Sequence, residues 1–79
     1  MIPIQNLLNK IKWDKRENPS DYTLFYFDRI LNKLISIPYN NIKRLEGSFM
    51  VLDNEEETNI PLHRVRKVIK NDKIVWERK

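Results

Sequence analysis

Residues 37–45 read IPYNNIKRL and residues 60–68 read IPLHRVRKV, a near-repeat whose reading decides the fold. Each copy runs Ile-Pro, three variable residues, a β-branched residue, two bases and an aliphatic. Proline has no N–H to give a sheet ladder, so it belongs at a strand end or a turn. Each copy therefore predicts a strand ending at Ile-Pro, a tight turn, and then a hairpin whose second arm is the next apolar run. Those runs are Ser48 to Leu52 and Ile74 to Trp76. Gly47 suits the first hairpin turn, and Asn71-Asp72 reads as a two-residue loop for the second. Two units are too few for a solenoid. They suit a pseudo-symmetric, strongly curved antiparallel sheet or half-open barrel containing two pseudo-repeated hairpin units.

Val65, Val68 and Ile69 also stand at helical spacing. The β-branched character of the run, and its continuation through Asn71-Asp72 into KIVWER (73–78), favour strand. Alternation there puts Ile74, Trp76 and Arg78 on one face and Lys73, Val75 and Glu77 on the other. Upstream, YTLFYF (22–27) is β-rich and apolar on both faces, as an interior strand is. Asp28 to Leu34 reads equally as more strand, a helical turn or a loop. At the front, Ile4, Leu7, Leu8 and Ile11 follow an i, i+3, i+4, i+7 stripe, with Pro3 suited to a first helical position. KRENPSD (15–21) is a loop, and the acidic stretch Asp53 to Thr58 is a solvated link between the hairpins. The expected fold is α+β in one domain over 1–79, with an amphipathic helix over 1–14 packed on a mostly antiparallel sheet over 22–79.

Seventy-nine residues with one glycine and no cysteine bound what such a domain can do. A chain this short buries roughly 60% of its unfolded surface, so a shallow surface site is expected rather than a deep pocket. Without cysteine there is no disulfide or thiolate metal site, which fits a cytoplasmic protein. MIPIQNLLNKIKW (1–13) has no uninterrupted apolar core, and no stretch approaches a membrane span, so no membrane partner is expected.

The net charge of +4 is unevenly spread. Residues 48–58 hold four acids and no base, while residues 59–79 hold seven bases against two acids. A polyanion would be drawn to the C-terminal part. Arg64, Arg66, Lys67, Lys70, Lys73, Arg78 and Lys79 are the residues to track a phosphate backbone; the bland alternative is an ordinary solvated face. Segregation of the acids into another loop tilts the balance towards binding.

Enzyme signatures are nearly absent. Ser20, Ser36 and Ser48 lack a nucleophile-elbow context, one glycine cannot build a phosphate-cradling loop, and Glu55-Glu56-Glu57 lacks the alternation of a calcium loop. No cofactor or metal is expected. His63 stands beside Arg64 in the most basic region, where imidazole and guanidinium would recognise phosphate or ribose. The competing reading is a histidine that closes the turn after Pro61 by bonding to backbone. A lone histidine with no second acid–base group argues against catalysis. Trp76 and Phe25 are expected in the core. Tyr22, Tyr39 and Trp13 are better explained as packing than as a base-stacking platform; Tyr26, near Arg29, is the exception.

With these residues in view, the chain resembles the small archaeal proteins of the RNA cyclic-group end-recognition domain family. The resemblance rests on LLNKIKWD (7–14), Tyr26 and Arg29, IPLHRV (60–65) and VWER (75–78), in that order over nearly the whole chain. It implies recognition of RNA ends that bear a cyclic phosphate, in a domain found alone or fused to RNA-processing and repair enzymes. Carried over by position, it nominates His63 and Arg64, supported by Arg29, Tyr26 and Arg78. Similar sequences carry a Gly-rich loop after the Tyr-x-x-Arg element, whereas this chain reads DRILNK (28–33), which removes a backbone N–H nest there. The expected function is a non-catalytic RNA-binding domain, with His63, Arg64, Arg29, Tyr26, Arg66, Lys67 and Arg78 as its RNA- and phosphate-binding residues. The alternatives are a protein-interaction adaptor of an RNA-processing complex, and a small ribonuclease or cyclic phosphodiesterase using His63. A homodimer or an RNA-processing enzyme is the expected protein partner, and no small-molecule cofactor is.

Overall fold

The apolar stripe at the front forms the helix that its spacing predicts. The computed structural model describes residues 2–78. Ile4–Trp13 form α1, with Ile4, Leu7, Leu8 and Ile11 buried. Pro3 is the N-cap rather than the first helical residue, with extended backbone at φ −60° and ψ 147°. Three side-chain donors tie the helix to the rest. Tyr39 Oη donates to the Leu8 carbonyl at 3.0 Å, Trp76 Nε1 to the Ile2 carbonyl at 2.8 Å, and Gln5 Nε2 to the Gly47 carbonyl at 3.2 Å. Lys79, counted above among the C-terminal bases, lies outside the described residues.

Seven strands follow: β1 (Tyr22–Asp28), β2 (Lys33–Pro38), β3 (Ile42–Glu46), β4 (Phe49–Leu52), β5 (Asn59–Pro61), β6 (Val65–Lys70) and β7 (Lys73–Glu77). Every pairing is antiparallel, so the α+β class holds. The strands divide into two sheets, β2-β1-β6-β7 and β3-β4-β5, with no ladder joining them among the described residues. Both Ile-Pro steps end a strand and lead through a single 3-10 turn, Tyr39–Asn41 or Leu62–Arg64, into the next hairpin. Those hairpins, β3-β4 and β6-β7, lie in different sheets. Gly47, Asn71 and Asp72 take positive φ at the hairpin turns, the conformation such tight turns demand.

The ambiguous stretch after Asp28 is a short loop and then a separate strand. Asp28 Oδ1 accepts the backbone N–H groups of Ile30 at 2.9 Å and Leu31 at 3.0 Å, and Asn32 turns the chain with φ +56°. An aspartate that binds the backbone two and three residues on competes with continued strand.

β1 lies between β2 and β6, with Leu24 opposite both Ile37 and Val68 and Val68 opposite Trp76. These residues join the α1 stripe, Met50, Ile60 and Leu62 in one core. Two register shifts interrupt the sheet, at Phe25/Tyr26 on the β1–β6 ladder and at Val68/Ile69 on the β6–β7 ladder. The second breaks the alternation expected of β7. Ile74 is 53% exposed while Trp76 is 6% exposed, so the two do not share a buried face.

Candidate nucleic-acid interface

His63 and Arg64 sit on a 3-10 turn held at both ends by buried anchors. Pro61 enters it in extended conformation, and Leu62 and Val65 on either side are buried. The Leu62 N–H donates to the Ser48 carbonyl at 2.8 Å, fixing the turn to the β3-β4 hairpin. Between the anchors the chain turns outward, leaving His63 exposed and Arg64 half-buried. Guanidinium groups take up the carbonyls of this turn. Arg78 donates from Nε to the Val65 carbonyl at 3.1 Å and from Nη2 to the Leu62 carbonyl at 3.4 Å, and Arg66 Nη1 donates to the His63 carbonyl at 3.3 Å. The Arg78 backbone N–H adds a bond to the Arg66 carbonyl at 2.8 Å.

Two shallow depressions meet at this turn. One, of about 310 Å³, is lined by Phe27, Arg29, His63, Arg64 and Arg66. Its neighbour, of about 320 Å³, shares Arg29 and Arg64 and adds Tyr26, Asp28 and Ile60 among its walls. A third, of about 300 Å³, reaches from His63 and Arg78 to the start of α1. Their sizes lie at the low end of the range for small-ligand clefts, as a short chain would allow.

Among the described residues, the cations here have no carboxylate partner. Among the described residues, the salt bridges use Arg16, Lys43, Arg44 and Lys70, and none uses Arg29, Arg64, Arg66, Lys67 or Arg78. Glu57 of the acidic loop is held by Lys43 and Arg44, which lower its carboxyl pKa through hydrogen bonds and charge. Asp28 is the one carboxylate lining these depressions, and its Oδ1 is taken by backbone N–H groups. Arg64 Nε is buried with no hydrogen-bond partner among the described residues. An unmet buried donor on a cation is costly.

The nominated residues separate into three groups. His63, Arg64, Arg29 and Arg66 share one depression, and Tyr26 joins Arg29 and Arg64 in the next. Burial chiefly, with Asp28 nearby, pushes the Tyr26 hydroxyl pKa up, so Tyr26 stays a neutral donor. Arg78 lies beside His63, but its guanidinium is committed to turn carbonyls and stacked over Trp76, 5.1 Å from the ring centre. These bonds hold the turn to the residue that follows β7. Lys67 stands apart on β6, its Nζ 4.7 Å from the centre of the Phe25 ring.

Tyr22, Tyr39 and Trp76 pack as expected, and the expectations for Trp13 and Phe25 need correction. Tyr22 and Tyr39 are buried in the core, whereas Trp13 is 72% exposed with Lys12 Nζ 5.1 Å from its ring centre. Phe25, expected in the core, is half-buried on the face of β1 opposite Leu24. Phe27, not singled out from the sequence, lines the depression with His63 and Arg64. The period-2 alternation of YTLFYF placed Phe25 and Phe27 together, but apolar residues on both faces hid which face was open.

Comparison with known proteins finds relatives along nearly the whole chain. A UPF0248 protein of Pyrococcus horikoshii is 40% identical over 76 residues, covering 94% of this chain and 87% of its own. UPF0248 proteins of Saccharolobus islandicus and Metallosphaera sedula are each 32% identical, over 80 and 77 residues, covering 98% of this chain and 100% and 94% of their own. No solved structure matches. The family model described as the MJ1316 RNA cyclic group end recognition domain matches residues 1–78. A match over that span, with relatives aligned nearly end to end, places the chain in the MJ1316 RNA cyclic group end recognition domain family.

Proposed function

We propose that this domain binds the 3′ ends of RNA that carry a phosphate or a 2′,3′-cyclic phosphate, and that it does not transform them. The observation that carries the reading is the convergence of Arg29, Arg64, Arg66 and His63 on one shallow depression, where the cations have no carboxylate partner among the described residues. Guanidinium presents a planar fork of donors that matches two phosphate oxygens. The description of the family supports an RNA end as the ligand.

Binding rather than turnover is favoured by what surrounds His63. The side chains that share its depressions are Phe27, Arg29, Arg64 and Arg66 on one side, and Pro3, Ile4, Gln5, Ser48, Leu62 and Arg78 on the other. Among the described residues, none of these supplies the second acid–base group that opening a cyclic phosphate at neutral pH calls for. Arg64 and Arg29 hold the phosphate, His63 bonds a phosphate or ribose oxygen, and Arg78 and Pro61 keep the turn in place.

Titration of isotope-labelled protein with a 2′,3′-cyclic nucleotide, followed by amide NMR, tests this. Shifts centred on residues 62–66 and 28–30, with the cyclic ring intact after prolonged incubation, are expected. Shifts centred elsewhere would overturn the site, and steady ring opening that His63→Ala abolishes would make the protein an enzyme.

A further inference from the structure

The outer face of the four-stranded sheet carries a second feature, continuous with the end site through Phe27 and Arg66. On β1, Leu24 faces the core, so Thr23, Phe25 and Phe27 line the opposite face. The bulge on the β1–β6 ladder occurs there: Phe25 pairs with Lys67 and Tyr26 with Val65, so Arg66 is the extra residue. An extra residue in a ladder re-aims side chains. Here it lets two consecutive cations serve the same sheet face. Lys67 Nζ stands 4.7 Å from the Phe25 ring centre and Arg66 Cζ stands 6.0 Å from that of Phe27. Leu34, paired with Phe27 across β2, is 46% exposed beside them. Glu77 is the register partner of Lys67 but makes no salt bridge with it.

We infer that this face is a stacking platform for single-stranded RNA, with Phe27 taking the base of the terminal nucleotide and Phe25 the base before it. The direction follows from Phe27, which also lines the depression with Arg29, His63 and Arg64. Residues i and i+2 of a strand lie about 6.6–6.8 Å apart, a span that successive unstacked nucleotides cover. Arg66 and Lys67 leave the ring faces for the phosphates as the bases arrive. The combination of half-buried rings on an open sheet face with cations that have no carboxylate partner among the described residues fits a strand whose bases stack while its backbone is neutralised, and stacking on an aromatic is sequence-tolerant. The strand direction rests on the end-binding reading above; the stacking itself does not.

The test compares mono-, di- and tetranucleotides, each with a 3′-hydroxyl or a 2′,3′-cyclic phosphate, on wild type, Phe25→Ala and Phe25→Leu. The leucine variant keeps apolar volume on the sheet while removing the ring. Stacking of one base is worth about 1–3 kcal/mol, so the second nucleotide should tighten wild-type binding by roughly 5- to 150-fold. Both variants should lose that gain yet keep any preference for the cyclic end, and an abasic residue before the terminal nucleotide should cost wild type as much. A length gain that survives in both variants, or no gain in wild type, overturns the platform. Equal affinity for the two ends with the length gain intact instead overturns end recognition and leaves the platform standing.

Discussion

Arg78 Nε donates to the carbonyl of Val65 at 3.1 Å, joining the residue that follows β7 to the first residue of β6. The same guanidinium reaches the Leu62 carbonyl, so one side chain spans the turn that presents His63 and Arg64. The VWER element near the C-terminal end and the IPLHRV element thus form one structural unit, although nine residues (66–74) lie between them in the chain.

Arg78→Ala should therefore weaken RNA binding without removing a ligand contact. Hydrogen bonds from a charged donor are worth about 1.5–3 kcal/mol, and a loss of that order should appear in urea denaturation. Arg78→Lys should restore little, because an ammonium cannot span two carbonyls as a planar fork does. Unchanged stability in both variants would show that the clamp contributes nothing.

Leu8→Ala should destabilise by about 2–5 kcal/mol, since Leu8 is fully buried where α1 meets the core and the residue leaves a cavity. In a domain of this size that is a large fraction of total stability, and the thermal midpoint should fall sharply or the transition vanish.

Acid should act through Glu17. Its carboxyl accepts from the Tyr22 hydroxyl and from Lys70 Nζ, and these bonds, Tyr22 first, hold its pKa below the ordinary 4.5. A pKa depressed in the folded state contributes stability above 4.5, lost as pH falls through the lower folded value. Glu17→Gln should therefore be less stable than wild type at neutral pH, and the difference should shrink below pH 4.5. Parallel curves across that range would contradict the link.

Salt should report the number of phosphate contacts. For single strands each contact adds about −0.7 to the slope of log affinity against log salt. Arg64→Ala should make the slope shallower by about that amount, while Lys43→Ala, whose cation pairs with Glu57, should leave it unchanged.

Local features were the legible ones. The stripe Ile4, Leu7, Leu8, Ile11 and the turn residues Gly47 and Asn71-Asp72 act through near neighbours, and each does what its residues dictate. The end of β2 at Ile37-Pro38 was legible, but its start was hidden because Ile30, Leu31 and Leu34 suit several conformations, and the deciding bonds from the Ile30 and Leu31 amides to Asp28 depend on the turn they build. The separation of β3-β4-β5 from β2-β1-β6-β7 is set by long-range pairing that periodicity does not encode. At the site, His63 and Arg64 could be named from their neighbours in sequence. Phe27 could not, because only the fold brings it to them, and the Arg66–Lys67 bulge erases the alternation that would have assigned their faces.

Recognition of the phosphate end of RNA by the Arg29, Arg64 and His63 depression, as proposed above, can be measured on RNA ends directly. Fluorescence anisotropy with short RNAs identical except for a 3′-hydroxyl, 3′-phosphate or 2′,3′-cyclic phosphate, on wild type and the His63→Ala/Arg64→Ala double variant, tests it most directly. Tighter binding of the phosphorylated ends by wild type, reduced in the variant to the level of the hydroxyl end, is the predicted result. Equal binding of all three ends by wild type, or a preference that survives the double substitution, would contradict it.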